Sequence, residues 1–408
     1  MYPVIKLEAK KILNRDNILI GCIFLLICLV KIFPYSQSLD MVTGEGDFCS
    51  GVAGWSQMKE EGMAYDGVLN QDHMRKVRDL YNSSKDKPFV EQTRSDEGDL
   101  GLRLMFPFQW LANSMNFPYG ELGMQDFSIN LSDQQIDTFY QNRLEGIKEF
   151  IGDSNGSYND QEIDRIMDKA SKVKTPFYYE YNEGWRYLGE FFEMTFYIFL
   201  IYLVFVLSSS MSQDSKIGLR EMDLSTKKGR LGLYLSKVRA GQIFGTMAYL
   251  FYLLFLLLYN LMVYSLHGAH ASLEFIDSPA IFNLSSWQAF AVQAFVGFWA
   301  MLAMVNIIVL FSVLFKRNKV TLFILGLFLI WVNKWSHSMV PWASILTYFT
   351  PQNFVTDTFS IFKVFVLGNQ VLPYGLLGIC LSLIYIAISR ILAMPLMDFY
   401  YLKGGGRK

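Results

Sequence analysis

The sequence predicts a mainly α, polytopic membrane protein with six transmembrane helices and a mostly helical extracytoplasmic domain between helices 1 and 2. Of its 408 residues, 52% are hydrophobic, and these residues are concentrated in a few windows. A bilayer core about 30 Å thick requires about 20 mostly apolar residues per helix. The windows that approach or exceed this length are residues 18–33, 191–211, 243–266, 287–315, 320–340 and 370–392.

The first window is predicted to be a retained transmembrane helix, assigned to residues 18–34. A cleaved signal peptide ends in small residues at its cleavage site. Here the apolar run ends instead at Lys31-Ile-Phe-Pro34. The long Lys31 side chain can extend its ammonium group toward the membrane surface.

The distribution of basic residues predicts the orientation of the chain. Lys and Arg precede the first window, lie between the second and third and between the fourth and fifth, and follow the sixth, whereas residues 267–286 contain neither. Because basic connections remain on the cytoplasmic side, both termini are expected in the cytoplasm, and the number of spans is expected to be even.

Residues 35–190 form the predicted extracytoplasmic domain. They carry a net charge of −12, whereas the rest of the chain carries +11. An acidic domain repels phosphates, so no nucleic-acid partner is expected. Ser132 with Gln135 and Asn159 with Glu162 have the spacing of capping boxes, and apolar stripes at helical spacing follow both pairs. Residues 191–408 contain the remaining spans.

Residues 1–17 are predicted to form a basic amphipathic helix at the cytoplasmic membrane interface. Its apolar positions include Ile5, Ile12 and Leu13, and its basic positions include Lys6 and Lys10. The alternative is a charged flank that only orients the first span.

Two further segments are informative. Residues 346–368 are semi-apolar and contain Pro351 and Asp357, which predicts a re-entrant or interfacial segment before the last span. Residues 212–240 contain the cytoplasmic connection between the second and third predicted spans. Its informative residues are Asp214, Gly218, Glu221, Met222, Leu224, Ser225, Thr226, Arg230 and Lys237.

This connection resembles that of the permease subunits of type-2 ABC exporters. In that family an acidic residue and a glycine precede a short amphipathic helix, a Ser-Thr-Pro turn with a basic residue, and a lysine on the next helix. The nine residues just named occupy matching positions, and Lys227 replaces the usual proline. The amphipathic N-terminal helix, the six spans and the re-entrant segment occur in the same order as in the family.

The resemblance implies that this chain is the membrane-spanning subunit of an ATP-driven exporter in a bacterial cell membrane. The segment from Asp214 to Arg230 would receive movement from a separate ABC ATPase subunit, which would bind ATP and Mg²⁺. A second copy, or a homologous permease, would complete the pathway for an apolar or amphipathic cargo such as a peptide, antibiotic or lipid. The chain has no G-x-x-x-x-G-K-[ST] phosphate loop, so no enzyme activity and no cofactor of its own are expected.

Other functional residues are weaker candidates. Glu193 and Asn306 are polar groups in predicted spans and are candidate pathway residues. His267, His270 and Glu274 lack the spacing of a metalloprotease motif, and no metal site is expected. The main alternative function is a membrane receptor or signalling protein with an extracytoplasmic sensor domain. A membrane-embedded enzyme and a secondary transporter are less well supported, because intramembrane charges are few.

Overall fold

The computed structural model describes residues 2–42, 48–85, 109–119, 131–152, 158–208, 227–315, 318–335 and 347–404. These residues are mostly helical. The long helices are α1 (Tyr2–Ile12), α2 (Arg15–Gln37), α9 (Glu183–Leu207), α10 (Lys227–Val263), α11 (Ser286–Leu314), α12 (Asn318–Trp335) and α13 (Tyr374–Gly404). The helices α3 to α8 lie between α2 and α9 and are described below.

Five helices are long and apolar enough to cross a membrane in the described part of the chain. They correspond to α2, α9, most of α10, α11 and the first part of α13. The fifth predicted window corresponds to α12, which has 18 residues and contains Lys319 and Lys334 near its ends. The chain therefore has the composition of a helical, polytopic membrane protein.

Helix α9 is the centre of the bundle and packs against α2, α10, α11 and α12. Its buried face consists largely of aromatic side chains. Phe199 stacks on Tyr252 of α10 with a ring separation of 5.1 Å, and Phe192 packs edge-on against Phe290 of α11. The Thr195 hydroxyl lies 2.7 Å from the Tyr252 hydroxyl, which satisfies both buried polar groups. Large rings and a few satisfied hydroxyls therefore hold the long helices together.

The predicted helix boundaries need correction at several places. Pro34 lies inside α2, although it was expected to end the first helix. Helix α9 begins at Glu183 rather than at residue 191, because Arg186 pairs with Glu183 and Glu190 and so allows a charged turn to continue the helix. Residues 370–372, predicted as the start of the last helix, form a strand.

The insert domain, defined here as the described residues from Leu39 to Asn182, is built from short helices and short antiparallel strand pairs. Its helices are α3 (Gly51–Gly62), α4 (Gln71–Lys85), α5 (Gln109–Asn116), α6 (Asp133–Asp137), α7 (Phe139–Gly152) and α8 (Asp160–Ser171). Its strands are β1 (Asp40–Val42), β2 (Phe48–Ser50), β3 (Gly67–Val68) and β4 (Tyr178–Tyr179), paired as β1–β2 and β3–β4.

Both predicted capping boxes are confirmed, and they begin two helices of the insert domain. Ser132 and Gln135 exchange side-chain and backbone hydrogen bonds at the start of α6. Asn159 and Glu162 do the same at the start of α8. The apolar stripes that follow are buried, with Ile136, Ile147 and Ile166 at most 1% exposed. These helices are therefore set by local sequence signals as well as by packing.

The insert domain packs against two connections of the helical bundle. One is the α10–α11 connection, which contains a 3-10 turn at Leu273–Phe275. The other is the described part of the predicted re-entrant segment, with 3-10 turns at Pro351–Val355 and Ile361–Lys363 and the strand β5 (Phe365–Leu367). Strand β5 forms a hairpin with β6 (Gln370–Leu372), which follows that segment. Ile147 and Ile166 of the domain share a buried cluster with Leu273, Ile361 and other residues of these connections.

Candidate functional site

A cleft of about 290 Å³ opens where α9, α11 and the two connections meet. Four carboxyl groups and one guanidinium line it, together with aromatic and aliphatic side chains. The lining residues are Trp185, Arg186, Gly189, Glu190, Glu193, Leu273, Ile276, Asp277, Ser286, Ala289, Phe290, Gln293, Asp357, Thr358, Phe359 and Ser360. Carboxyl groups therefore outnumber cationic groups in the lining of the cleft, which is called the acidic cleft below.

Glu193, predicted from the sequence as a pathway residue, lies in this cleft. Its Oε1 atom accepts a hydrogen bond of 2.8 Å from Nε2 of Gln293 and one of 3.3 Å from the backbone N–H of Asp357. The same Gln293 nitrogen donates to the carbonyl of Val355 at 3.0 Å. Glu193 and Gln293 therefore tie the segment around residues 355–357 to both α9 and α11.

A second ionic group lies at the start of α9. Arg186 donates to Oε2 of Glu183 through Nε at 2.9 Å and Nη2 at 2.5 Å, and to Oε1 of Glu190 through Nη1 at 2.5 Å. Its guanidinium also lies 4.1 Å from the ring centre of Tyr187. Arg186 is thus held by two carboxylates and one ring, and it presents a fixed positive charge at one edge of the cleft.

The backbone of the cleft has one unusual residue, Asp357, whose φ is +51°. Few residues other than glycine adopt this left-handed conformation, although aspartate tolerates it better than most. The Asp357 carboxylate is held by Lys363 at 2.8 Å, and Lys363 lies 5.0 Å from the ring centre of Tyr348. These contacts fix the turn that presents its N–H to Glu193.

Asn306, the other predicted pathway residue, lies elsewhere. It is completely buried in α11, and its Nδ2 donates to the carbonyl of Leu302 at 2.8 Å, while its Oδ1 has no hydrogen-bond partner among the described residues. Because a helix rises 1.5 Å per residue, Asn306 lies about 20 Å along α11 from Gln293. The structure therefore does not bring Glu193 and Asn306 together.

The three residues considered for a metal site are also separated. His267 pairs with Asp66, with 2.8 Å between Nε2 and Oδ2, and the backbone N–H of His270 donates to Glu180. Glu274 is buried and faces Arg143. Within the described ranges, no group of three or more His, Cys, Asp or Glu side chains is arranged to hold a metal ion.

Most of the predicted coupling residues lie outside the described residues: Asp214, Gly218, Glu221, Met222, Leu224, Ser225 and Thr226. Arg230 lies in the first turns of α10, and its side chain is likewise outside the described part. Lys237 is described, and it lies on α10 ten residues after that helix begins. It is therefore the part of the motif whose surroundings are known.

Lys237 is buried against the N-terminal helix. Its Nζ atom lies 2.9 Å from Oε2 of Glu8 on α1, and the other oxygen, Oε1, lies 2.7 Å from Nζ of Lys11. The side chains of Lys237 and Glu8 are 1% and 7% exposed. Separating such a buried pair would leave an uncompensated charge, so the contact couples α1 to the beginning of α10.

The remaining N-terminal residues show how α1 lies on the bundle. Lys6 and Lys10 are exposed, Ile5 and Ile12 are half-buried, and Ile12 packs against the central core. Leu13, predicted on the apolar face, follows the end of α1 and is 45% exposed. Glu8, the most buried side chain described in α1, was not predicted, because an acidic residue in a basic amphipathic segment gives no signal of burial.

No protein-family model, curated protein sequence or solved structure matches this chain. The features of the chain that bear on function are therefore the sequence motif, the acidic cleft and the contact between α1 and α10.

Proposed function

We propose that this chain is the permease subunit of an ATP-driven ABC exporter, with six spans and the insert domain on the extracytoplasmic side. The observation that carries the proposal is the buried Glu8–Lys237 contact. It joins α1 to α10, the helix that begins at Lys227, within the predicted coupling segment of residues 214–230. A displacement of that segment by a partner would therefore move α1 and α10 together.

The physical mechanism requires a rigid transmission path. Helix α10 is continuous from Lys227 to Val263, and it packs against α9 and α11 through aromatic and aliphatic side chains. An α-helix is stiff, and packed helices shift relative to one another as rigid bodies instead of deforming continuously. Movement at the start of α10 is thus passed to the helices that line the acidic cleft.

The acidic cleft supports a role for α9 and α11 in the pathway of the proposed exporter. Glu193 lies beside Trp185, Phe290 and Phe359, so the cleft combines apolar walls with carboxylates. Such a surface suits an amphipathic cargo, and its charge favours a cationic group over an anionic one. The partners of this proposal are an ABC ATPase subunit and a second permease.

The proposal is tested by reversing one charge in the coupling segment. Glu221→Lys changes a residue of the motif, and Asp223→Lys makes the same charge change at a neighbouring position outside the motif. We expect no ATPase activity to co-purify with the Glu221→Lys variant. The Asp223→Lys variant should still co-purify with ATPase activity. If the same ATPase activity co-purifies with both variants, and both are present in the membrane at normal levels, residues 214–230 are an ordinary basic connection. That result would favour the receptor function.

A further inference from the structure

Two of the carboxyl groups that line the acidic cleft are compensated by described cations. The Glu190 carboxylate accepts a hydrogen bond of 2.5 Å from Arg186 at the edge of the cleft. The Asp357 carboxylate accepts one of 2.8 Å from Lys363. Because these two cations are already held by carboxylates, they leave the other acidic groups of the cleft without a close positive charge.

The remaining two carboxyl groups belong to Glu193 on α9 and Asp277 in the α10–α11 connection. Neither has an ion-pair partner among the described residues, and there only Oε1 of Glu193 accepts hydrogen bonds. Burial raises the pKa of Asp277 to about 7, and the negative charge of Asp357 adds to this rise, as expected for a carboxyl group without a compensating cation. A positively charged group in the cleft would supply that compensation to both.

A third open acceptor is the amide oxygen of Gln293, a residue only 6% exposed. Its Nε2 atom donates to Glu193 and to the carbonyl of Val355, which fixes the orientation of the amide. Its Oε1 atom accepts no hydrogen bond in the described part of the chain and lies 3.3 Å from the position that a Cβ atom on Gly189 would take. Gly189 and Gln293 both line the cleft. Because Gly189 has no side chain to cover it, a buried acceptor stays open to the cleft.

Aromatic side chains supply the apolar walls of the cleft. The rings of Trp185 and Phe290 lie with their centres 6.3 Å apart, and Phe359 lines the cleft as well. Nε1 of Trp185 donates to the carbonyl of Leu266 at 3.1 Å, which holds the indole in place. Since ring faces attract cations and open oxygens accept N–H donors, the cleft suits a charged nitrogen with N–H groups beside a short apolar group.

The size of the cleft and its ligand set favour an organic cation over a metal ion. Within the described ranges, no group of three or more His, Cys, Asp or Glu side chains is arranged to hold a metal. The volume of about 290 Å³ is close to the lower end of the range of about 300–1,000 Å³ that is typical of small-molecule sites. The cleft therefore has room for a small amine, or for one end of a longer molecule.

We propose that the acidic cleft binds the primary ammonium group of an amphipathic amine. Glu193, Asp277 and Oε1 of Gln293 accept its N–H donors, and the aromatic walls pack against the adjoining apolar part of the ligand. The identification of this amine with the transported cargo rests on the exporter function proposed above, whereas the binding site does not.

The test measures binding of phenethylamine to the purified, full-length chain in lipid nanodiscs by equilibrium dialysis, with empty nanodiscs as the blank. Phenethyl alcohol has the same ring without the charge, and phenethyltrimethylammonium keeps the charge without N–H donors. We expect saturable binding of the amine, and binding of the other two compounds that is weaker by about tenfold or more. Absence of saturable amine binding, or equal binding of the amine and either comparison compound, would overturn the proposal.

Variants assign the binding to the cleft. Asp277→Asn and Glu193→Gln each remove one negative charge with little change of shape, and each should weaken amine binding about tenfold. Gly189→Ala places a methyl group over Oε1 of Gln293 without changing any charge, and it should weaken binding of the amine more than that of the alcohol. Glu145→Gln, at an exposed position of α7, makes the same change of net charge outside the cleft and should leave amine binding unchanged.

Amine binding as tight in both Asp277→Asn and Glu193→Gln as in the unmodified chain would refute the proposal. The assay contains no ATPase, so its result is independent of the exporter function. Saturable amine binding by a chain that recovers no ATPase subunit would retain the site and reject the exporter. Recovery of an ATPase subunit by a chain that binds no amine would do the reverse.

Discussion

The Nζ atom of Lys237 lies 2.9 Å from Oε2 of Glu8, and 229 residues separate the two in sequence. Both side chains are buried, and Lys11 holds the second carboxylate oxygen. The pair couples the N-terminal helix to α10, which begins within the predicted coupling segment. Removing one partner leaves a buried charge without its full compensation.

We expect Lys237→Met to lower the free energy of unfolding by about 3 kcal/mol, because it removes one of the two ammonium groups that Glu8 contacts among the described residues. Glu8→Gln should lower the free energy of unfolding by a similar amount, since the Lys237 ammonium remains buried. Unfolding by denaturant in mixed micelles measures both. Lys10→Met, at an exposed position of the same helix, is the control and should change stability by less than about 0.5 kcal/mol.

The double variant Glu8→Gln/Lys237→Met should lower the free energy of unfolding by clearly less than the sum of the decreases in the two single variants, because the two residues share one interaction. Additive losses would mean that the two side chains do not interact in the folded protein.

The connection between α9 and α11 depends on Gln293, which donates both to Glu193 and to the Val355 carbonyl. Gln293→Ala leaves the carbonyl of buried Val355 and the partly buried Glu193 carboxylate without this donor, and we expect the free energy of unfolding to fall by about 1–3 kcal/mol. Faster exchange of the Asn353 and Thr356 amides should accompany the loss. Gln370→Ala, at an exposed strand position, should affect neither quantity.

Helix α9 begins in contact with the backbone of the α10–α11 connection. A Cβ atom on Gly184 would overlap the carbonyl oxygen of Ser265, and that oxygen belongs to the backbone and cannot rotate away. We therefore expect Gly184→Ala to destabilise the protein by about 2 kcal/mol or more. Gly326→Ala in α12, where no described atom outside the helix backbone lies within 4 Å of the added Cβ, should be neutral or stabilising. Thermal unfolding of the two variants compares them directly.

The raised pKa of Glu274 has a consequence for stability. Its folded pKa of about 7 exceeds its ordinary value of 4.5, so the folded state binds the proton more tightly. Stability is therefore highest when the group is protonated and falls as pH rises from 4.5 through 7. Relative to Glu274→Gln, the unmodified chain should lose about 1 kcal/mol between pH 6 and pH 8. Parallel stability curves for the two proteins would contradict this prediction.

Local sequence signals predicted local structure well. The capping boxes at Ser132 and Asn159 were identified because each depends on two residues three positions apart. Long apolar windows likewise located the helices of the bundle. Boundaries were less accurate, because the charged start of α9 is stabilised by pairing among Glu183, Arg186 and Glu190, which an apolar window does not register.

The candidate sites required the three-dimensional structure. Glu193 was identified as a polar group in an apolar window, but its contacts with Gln293 and Asp357 join segments 100 and 164 residues away. The pairs Glu8–Lys237 and Arg143–Glu274 likewise join residues that are far apart in sequence. A single sequence contains no signal of such distant contacts.

The function proposed for this chain is that of the membrane subunit of an ATP-driven exporter. The most direct measurement is purification of the tagged, full-length chain from its host in mild detergent, identification of the proteins that remain bound, and an ATPase assay on the product. We expect a stoichiometric subunit with a phosphate-binding loop, and vanadate-sensitive ATP hydrolysis. Recovery of the chain without an ATPase, under conditions that preserve other membrane complexes, would contradict the claim.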